Sequence, residues 1–432
     1  MKVGFATLGC RVNQYETEAM AEKFIKQNYN IVKFEDFADV YVINTCTVTN
    51  MGDKKSRQMI HRAKRRNPNA IIAVVGCYSQ IKPEEISKID GVDIVLGTRN
   101  KGDIISSVNK VLTYNNKVVE VKGVLKNKVF EDLKIEEYQD RIRAFLKIQD
   151  GCNRFCSYCL IPFARGGVCS RSPQNVIDEV KRLANNGFKE IVLSGIHIAS
   201  YGVDLDGNWD LLKMLEILDT VEGIERIRIG SIDPQFFSNG VVHRISSLKK
   251  LCHHFHLSLQ SGCDETLRRM NRKYTTLEYS SIVNDLRKHM RDVSITTDVI
   301  VGFPGETEEE FNKTYNFLKR IKLSKMHIFK YSQREGTKAA NMDNQIDGKI
   351  KDIRSKRLIK LNDINEEEFI SRFKGKSLDV LYEQKLNNTE DEYEGYTSNY
   401  IKVISKSSIN LQGRIISTEI LRSNSDHANG IV

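Results

Sequence analysis

Cys152, Cys156 and Cys159 stand in the run Cys152-Asn153-Arg154-Phe155-Cys156-Ser157-Tyr158-Cys159, so three thiols share one short loop. Structural zinc takes a closed set of four ligands, commonly two pairs split by a longer stretch. A three-thiolate loop leaves one coordination position for something other than protein. An iron–sulfur cluster with one open iron meets that description, because Cys thiolates are its normal ligands. Zinc, or a plain set of buried thiols, stays open as another reading of these three residues alone.

Three more cysteines form a second constellation. Apolar runs rich in Val and Ile cover residues 2–8, 40–43 and 70–75, with helical patterns between them. Alternating strand and helix predicts a doubly wound parallel sheet. Each run stops at a cysteine: Gly9-Cys10, Thr45-Cys46 and Gly76-Cys77. All three therefore fall at the carboxyl ends of parallel strands, the edge where such sheets build their sites. Neighbouring strands lie about 4.8 Å apart, so three tips on one edge can converge on a single cluster. The alternative is three small hydrophobes at strand ends.

The elements that must position these thiols fill the rest of the chain. From about residue 140, strands are predicted at 144–149, 191–196, 226–231, 255–260, 295–301 and 326–331. Helices fall near 173–185, 210–221, 264–290 (broken) and 306–321. Six parallel strands with outer helices predict a partial β/α barrel, with its site at the carboxyl ends and the 152–159 loop following the first strand. A charged stretch at 349–360 opens a helical connector. Short β-branched or aromatic runs at 378–382, 393–405 and 411–421 predict a small β-barrel, and residues 423–432 are expected to fray.

The 432 residues have room for two or three domains, with 40% apolar and 28% charged residues. No apolar run approaches membrane-spanning length and the N-terminus has no secretory pattern, so a cytoplasmic protein is expected. Nine cysteines are too sparse for a disulfide scaffold, and a reducing compartment keeps them free for metal. The net charge of +10 points to an anionic partner, nucleic acid being the commonest. Basic runs lie at Lys54, Lys55 and Arg57 with Arg62, Lys64, Arg65 and Arg66, and again at Arg268, Arg269, Arg272 and Lys273. Each is either a solvated helix face or a set of phosphate contacts. In residues 371–432 eight Lys or Arg meet eight Asp or Glu. RNA binding there would need a local patch or stacking rings such as Tyr396 and Tyr400. His253, His254 and His256 lack ligand spacing and read as core or surface. Cys169 lies ten residues past the loop without a ligand position of its own, its role left open, and Cys252 and Cys263 read as structural.

Longer motifs carry a resemblance. Residues 8–16 (Leu8-Gly9-Cys10-Arg11-Val12-Asn13-Gln14-Tyr15-Glu16), Asn44-Thr45-Cys46-Thr47-Val48 and Val75-Gly76-Cys77 resemble the N-terminal domain of the methylthiotransferases, which are radical S-adenosylmethionine (SAM) enzymes with an auxiliary cluster. The 152–159 loop with Leu160-Ile161-Pro162-Phe163-Ala164-Arg165-Gly166, Ser258-Leu259-Gln260-Ser261-Gly262 and the run from Thr297 to Thr307 are similar to their central domain. The match extends to about residue 400.

That resemblance implies a domain order of 1–137 (auxiliary cluster), 138–345 (radical SAM barrel), 346–370 (helical connector) and 371–432 (an RNA-contacting TRAM-like β-barrel). It implies two 4Fe-4S clusters, on Cys10, Cys46 and Cys77 and on Cys152, Cys156 and Cys159. One SAM would methylate a sulfur on the auxiliary cluster, and a second would supply a 5′-deoxyadenosyl radical that activates the substrate carbon. Acid–base side chains cannot remove hydrogen from an adenine ring near neutral pH. Tyr158 occupies the place of an aromatic that meets the SAM adenine, and otherwise is loop packing. Gly195 would let backbone approach the methionine part. Gln260 and Asp298 are candidate SAM contacts, or turn and capping groups; Arg165 and Arg171, which follow the cluster loop, are candidate contacts to SAM or phosphate. Residues 11–18 and Tyr331-Ser332-Gln333-Arg334-Glu335-Gly336-Thr337 most resemble the branch that modifies carbon 2 of N6-threonylcarbamoyladenosine at position 37 of tRNA. Branches acting on isopentenyl-adenosine or on a ribosomal-protein aspartate are the alternatives, and a noncatalytic RNA-binding or sulfur-carrier protein is a different class. Expected partners are tRNA, a small electron-transfer protein and a sulfur donor, with a monomeric enzyme and no membrane.

Overall fold

Val40 and Val42 of one strand point to one face of a sheet, and Tyr41 and Ile43 to the other, each set meeting its own apolar cluster. That double burial explains a strand without polar alternation, and it is the pattern of a parallel sheet covered by helices on both sides. In the computed structural model, which describes all residues except 126–128, 136–141, 239, 387–390 and 425, the sheet contains β1 (Lys2–Thr7), β2 (Asn30–Val32), β3 (Val40–Thr45), β4 (Ile71–Gly76), β5 (Ile94–Leu96) and β6 (Val118–Glu120). The order is β2-β1-β3-β4-β5-β6, all parallel. Helices α1 (Arg11–Ile25), α2 (Asn50–Arg66) and α3 (Cys77–Ile81) follow β1, β3 and β4. The expected division between residues 137 and 138 lies outside the described residues.

The central domain begins with β7 (Arg143–Lys147), and β8 (Gln149–Asp150) pairs antiparallel with β9 (Cys169–Ser170) beside the cysteine loop. Strands β10 (Glu190–Ser194), β11 (Arg226–Ile229), β12 (His254–His256), β13 (Ser294–Val301) and β14 (Lys325–Lys330) complete it. Two three-stranded parallel sheets, β7-β10-β11 and β12-β13-β14, are stitched by isolated parallel bridges at Ile227–Leu251 and Ile232–Leu257. The result is an open, six-stranded partial barrel. The strand expected over 255–260 is a regular ladder only at His254–His256. Beyond it, the Ser258 carbonyl accepts from Arg272 Nη2 at 3.1 Å and the Leu259 carbonyl from the Tyr274 hydroxyl at 2.8 Å. Side chains take those two carbonyls, while Gln260 keeps an isolated parallel bridge to Val299 of β13. The 264–290 stretch is indeed broken, into Asp264–Arg269 and Thr276–His289, the second opened by a capping box of Thr275 and Glu278. The connector is a single helix, Gly348–Ser371, whose Asn362 Oδ1 accepts the backbone N–H of Met326 on β14.

The tail forms a closed barrel of β15 (Ser377–Lys385), β16 (Glu392–Thr397), β17 (Lys402–Lys406), β18 (Ile415–Ser423) and β19 (Ala428–Ile431). The end expected to fray is instead the closing strand: β19 pairs with both β17 and β18, and Ala428 is fully buried. Without it the barrel would expose two open edges. This small barrel plugs the amino-terminal end of the partial barrel. Arg226 donates to the carbonyls of Asp379 and Tyr396, and Arg228 to those of Thr397 and Ser398. Tyr400 stacks on Tyr396 with centroids 5.0 Å apart and on His254 at 4.6 Å, with the Arg228 guanidinium 4.6 Å from its ring. The two tyrosines assigned to base stacking are therefore spent on holding domains together.

Candidate active site

Cys10 immediately precedes α1, Cys46 follows β3, and Cys77 opens α3. Their strands are neighbours and in step, Thr7 lying opposite Asn44 and Thr45 opposite Gly76. The turns that deliver them are tight: Gly9 and Gly76 both have φ +101°, a region that side chains avoid. A Cβ on Gly9 would lie 2.9 Å from Cys46 Sγ, and one on Gly76 would lie 2.6 Å from Asn44 Oδ1. Glycine is what lets the three tips close on one another.

The second triad lies in the loop after β7 and β8. The backbone N–H groups of Arg154 and Ile161 donate to the sulfurs of Cys152 and Cys159 at 3.4 Å, and Arg272 Nη1 stands 3.5 Å from Cys156 Sγ. Such donors tune a cluster's potential. Among the described residues no three His, Cys, Asp or Glu side chains are gathered tightly enough for a single metal ion. Each triad offers three thiols, one short of the closed set of four that structural zinc takes, and that donor set suits a cluster with one open iron. Burial pushes the thiols of Cys46 and Cys159 up to about 12, and raises those of Cys10 and Cys152. Left alone these groups are neutral thiols; a coordinating metal would deprotonate them.

Between the triads lies a buried ionic network that the sequence did not announce. Arg165 donates to Cys77 Sγ at 3.4 Å, to Glu16 Oε1 at 2.6 Å, to Asp150 Oδ2 at 3.2 Å and to Asn13 Oδ1 at 2.5 Å. Lys147 bridges Glu16 and Asp150 at 2.7 and 2.6 Å, and Lys101 meets Glu16 at 2.7 Å. All five charged groups are essentially inaccessible to solvent. Burial alone would raise the Glu16 carboxyl, but Arg165, Lys101 and Lys147 hold it well below its usual range. The network ties α1 to the barrel. Arg165 thus belongs to the domain interface, and Arg171 is likewise committed, to Asp132 at 2.7 Å and Glu179 at 2.6 Å.

The carboxyl ends of the two sheets enclose a cavity of about 890 Å³, the size of a small-ligand site. Cys10, Arg11 and Gln14 line it from above; Ser194, Gly195, Ser231, His256, Asp298 and His327 line it from the barrel. Of the residues assigned from sequence, Cys10, Gly195 and Asp298 meet in this space. Gly195 packs where a Cβ would lie 2.9 Å from Gln149 Oε1. Gln260 supports Asp298 from behind, its N–H bonded to the Asp298 carbonyl at 2.9 Å and its φ at +71°. Tyr158 packs edge-on against Phe303 beside the loop cysteines, at 6.4 Å. His256, read as core or surface, instead faces the cavity and lies 3.2 Å from Asp298. A further link went unread: Arg154 Nε donates to His197 Nε2 at 3.2 Å, and Asp233 stands 3.6 Å from that nitrogen and 3.5 Å from Arg272. Burial opposes the Asp233 charge, but His197 and Arg272 hold its carboxyl down to about 2.

The basic residues of α2 are not brought to this cavity. The 17-residue helix starts beside Cys46 and runs about 25 Å away from it. Arg62, Lys64, Arg65 and Arg66 lie at the far end, Arg62 3.6 Å from Glu35 and Lys64 bonded to the Pro68 carbonyl.

A partial barrel with a three-cysteine loop after its first strand is the fold of a radical SAM enzyme. A family model described as the Radical SAM superfamily matches residues 146–318, and one described as Uncharacterized protein family UPF0004 matches residues 2–97. The chain belongs to the radical SAM tRNA methylthiotransferase family: it is 46% identical over 423 residues to the threonylcarbamoyladenosine tRNA methylthiotransferase MtaB of Bacillus subtilis (strain 168), covering 97% of this chain and 94% of that protein. To the tRNA-2-methylthio-N(6)-dimethylallyladenosine synthase of Clostridium novyi (strain NT) it is 35% identical, over 97% of this chain and 94% of that one. The solved structure of the radical SAM methyltransferase TsrM from Kitasatospora setae shares the fold, with a TM-score of 0.57 at 12% identity over 76% of this chain and 72% of that one. Among the described residues no helix is long and apolar enough to cross a membrane.

Proposed function

We propose that this enzyme adds a methylthio group to carbon 2 of N6-threonylcarbamoyladenosine at position 37 of tRNA. Cys10, Cys46 and Cys77 would hold one 4Fe-4S cluster, and Cys152, Cys156 and Cys159 the other. When bound, the clusters and SAM supply the electron, the methyl group and the hydrogen-abstracting chemistry that an unactivated ring C–H bond demands. The observation that carries the reading is the single cavity between Cys10 and the barrel strand ends at Gly195 and Asp298. Sulfur transfer and carbon activation must occur on the same adenine, so both sites have to open onto one space.

The chain's own residues hold the parts in place. Gly195 gives the cofactor's methionine part a wall without a side chain. Asp298 offers a carboxylate to a hydroxyl or ammonium group, oriented by His256. The Arg165–Glu16–Lys147–Asp150 network fixes one triad over the other and keeps water out of the interface. The tRNA, a small electron donor and a sulfur donor complete the system, and the division at about residues 137, 345 and 370 stands as the domain plan. The test offers reconstituted enzyme methyl-labelled SAM with three substrates. They are tRNA bearing threonylcarbamoyladenosine, tRNA bearing isopentenyl-adenosine, and ribosomal protein. Label is expected in the first; label in either of the others would overturn the assignment.

A further inference from the structure

We propose that Arg11 selects the substrate, its guanidinium binding the free carboxylate of the threonyl group. This rests on the substrate assignment above. A threonine joined to adenosine through its amino group keeps a carboxylate and a hydroxyl, whereas an isopentenyl group brings only hydrocarbon. A site for the first must therefore present a cation that a site for the second does not need.

Among the described residues Arg11 is the one Lys or Arg that lines the cavity. It is the first residue of α1, directly after Cys10. From there its guanidinium reaches across to the barrel and lies 4.7 Å from the centre of the Phe145 ring. Phe145 belongs to β7, whose Ala144 and Leu146 face the outer core, so the ring faces the lumen. Stacking on an aromatic face holds the planar fork in place while leaving its edge donors available, an arrangement a lysine does not reproduce. One of those donors bonds to Gln14 Oε1 at 3.0 Å, and among the described residues no carboxylate lies within ion-pair distance. Nor does the first turn of α1 carry an acid. The acids in the cavity wall are placed elsewhere: Asp298 faces His256, and Glu18 lies two helical turns, about 10 Å, further along α1.

The position also fits the reaction. Carbon 6, which bears N6, and carbon 2 flank the same ring nitrogen of adenine. Fixing the N6 substituent beside residue 11 therefore brings carbon 2 toward the neighbouring Cys10 side of the cavity. Binding a carboxylate here serves selection and orientation together.

The experiment uses the reconstituted enzyme and two anticodon stem-loops. One carries threonylcarbamoyladenosine; the other carries the same group with its carboxylate converted to a neutral methyl amide. Methylthio product is measured by mass spectrometry for the wild type, Arg11→Gln and Arg11→Lys. The wild type should favour the carboxylate substrate in kcat/KM by about tenfold to a hundredfold, as expected for a charged hydrogen bond. Arg11→Gln should lose that preference by slowing the carboxylate substrate alone, mostly through KM, and Arg11→Lys should recover part of it. A variant that slows both substrates equally, or that keeps the preference, would overturn the assignment of Arg11. A wild-type enzyme active on isopentenyl-adenosine and inactive on both threonyl substrates would overturn the substrate reading itself.

Discussion

Replacing Arg165 with methionine should loosen the N-terminal domain from the barrel without unfolding either. The side chain is fully buried and makes charged or polar contacts to Glu16, Asp150, Asn13 and Cys77. Breaking a buried ion pair by removing one partner costs about 3–5 kcal/mol. Here the lower value applies, because Glu16 keeps Lys101 and Lys147 at 2.7 Å and Asp150 keeps Lys147 at 2.6 Å. The loss should be local, since Tyr15 and Ala19 of α1 still pack into the barrel's apolar cluster and the two clusters of the N-terminal sheet do not include the network. Native-state hydrogen exchange reads it directly. Amides of α1 and of β7 should exchange on the order of a hundredfold faster in Arg165→Met, as about 3 kcal/mol of opening energy is lost. Amides of β15 and β18 in the distant small barrel should not change. Unaltered protection in α1 would refute the claim that this network fastens the two domains.

Three other outcomes follow from particular contacts. Gly9→Ala places a Cβ at φ +101° and 2.9 Å from Cys46 Sγ, so the N-terminal triad should fail to close; reconstituted protein should hold about four irons per chain instead of about eight, by iron assay. Arg334 pairs with Asp53 at 2.7 Å and donates to Thr47 at 2.6 Å, next to Cys46. Arg334→Ala leaves the Asp53 carboxylate without its cation, and limited proteolysis should then cut near residues 332–341 where the wild type resists. His254 is stacked on Tyr400, and burial followed by the repulsion of Arg228 holds its imidazole well below the usual 6.5. Folding thus favours the neutral ring. Its contribution is whole above pH 6.5 and is lost as pH falls from 6.5 toward the folded value. Between pH 6.5 and 5.5 the wild type should lose about 1 kcal/mol more stability than His254→Phe in urea unfolding; equal losses would contradict the burial argument.

Spacing made the six cysteines legible, because a loop cluster motif is local and strand tips repeat a local pattern. The same holds for the parallel sheet, whose runs of Val and Ile need no partner to be recognised. What escaped depends on residues far apart in the chain. Glu16 and Arg165 are 149 positions apart, and nothing near either one announces the other. His256 gives no ligand spacing; only the curl of the barrel turns it toward Asp298. Tyr396 and Tyr400 carry the composition of an RNA-stacking surface, yet the arginines of β11 and the ring of His254 claim them first. Strand β19 is short and rich in the weak strand formers Ala, Asn and Gly, so its pairing follows from barrel closure rather than from its own propensity. The basic run of α2 is legible in the sequence, but only the length of the helix shows that its Arg62–Arg66 end lies far from Cys46.

The most direct test of the central claim is nucleoside mass spectrometry of tRNA from a host that makes threonylcarbamoyladenosine but cannot methylthiolate it. The host would carry this gene, its Cys10→Ala form or its Cys156→Ala form. The proposal that both triads serve the cavity beside Cys10 predicts a methylthio-threonylcarbamoyl nucleoside with the intact gene and none with either variant. Product that persists in Cys10→Ala, or a methylthio group on isopentenyl-adenosine instead, would contradict it.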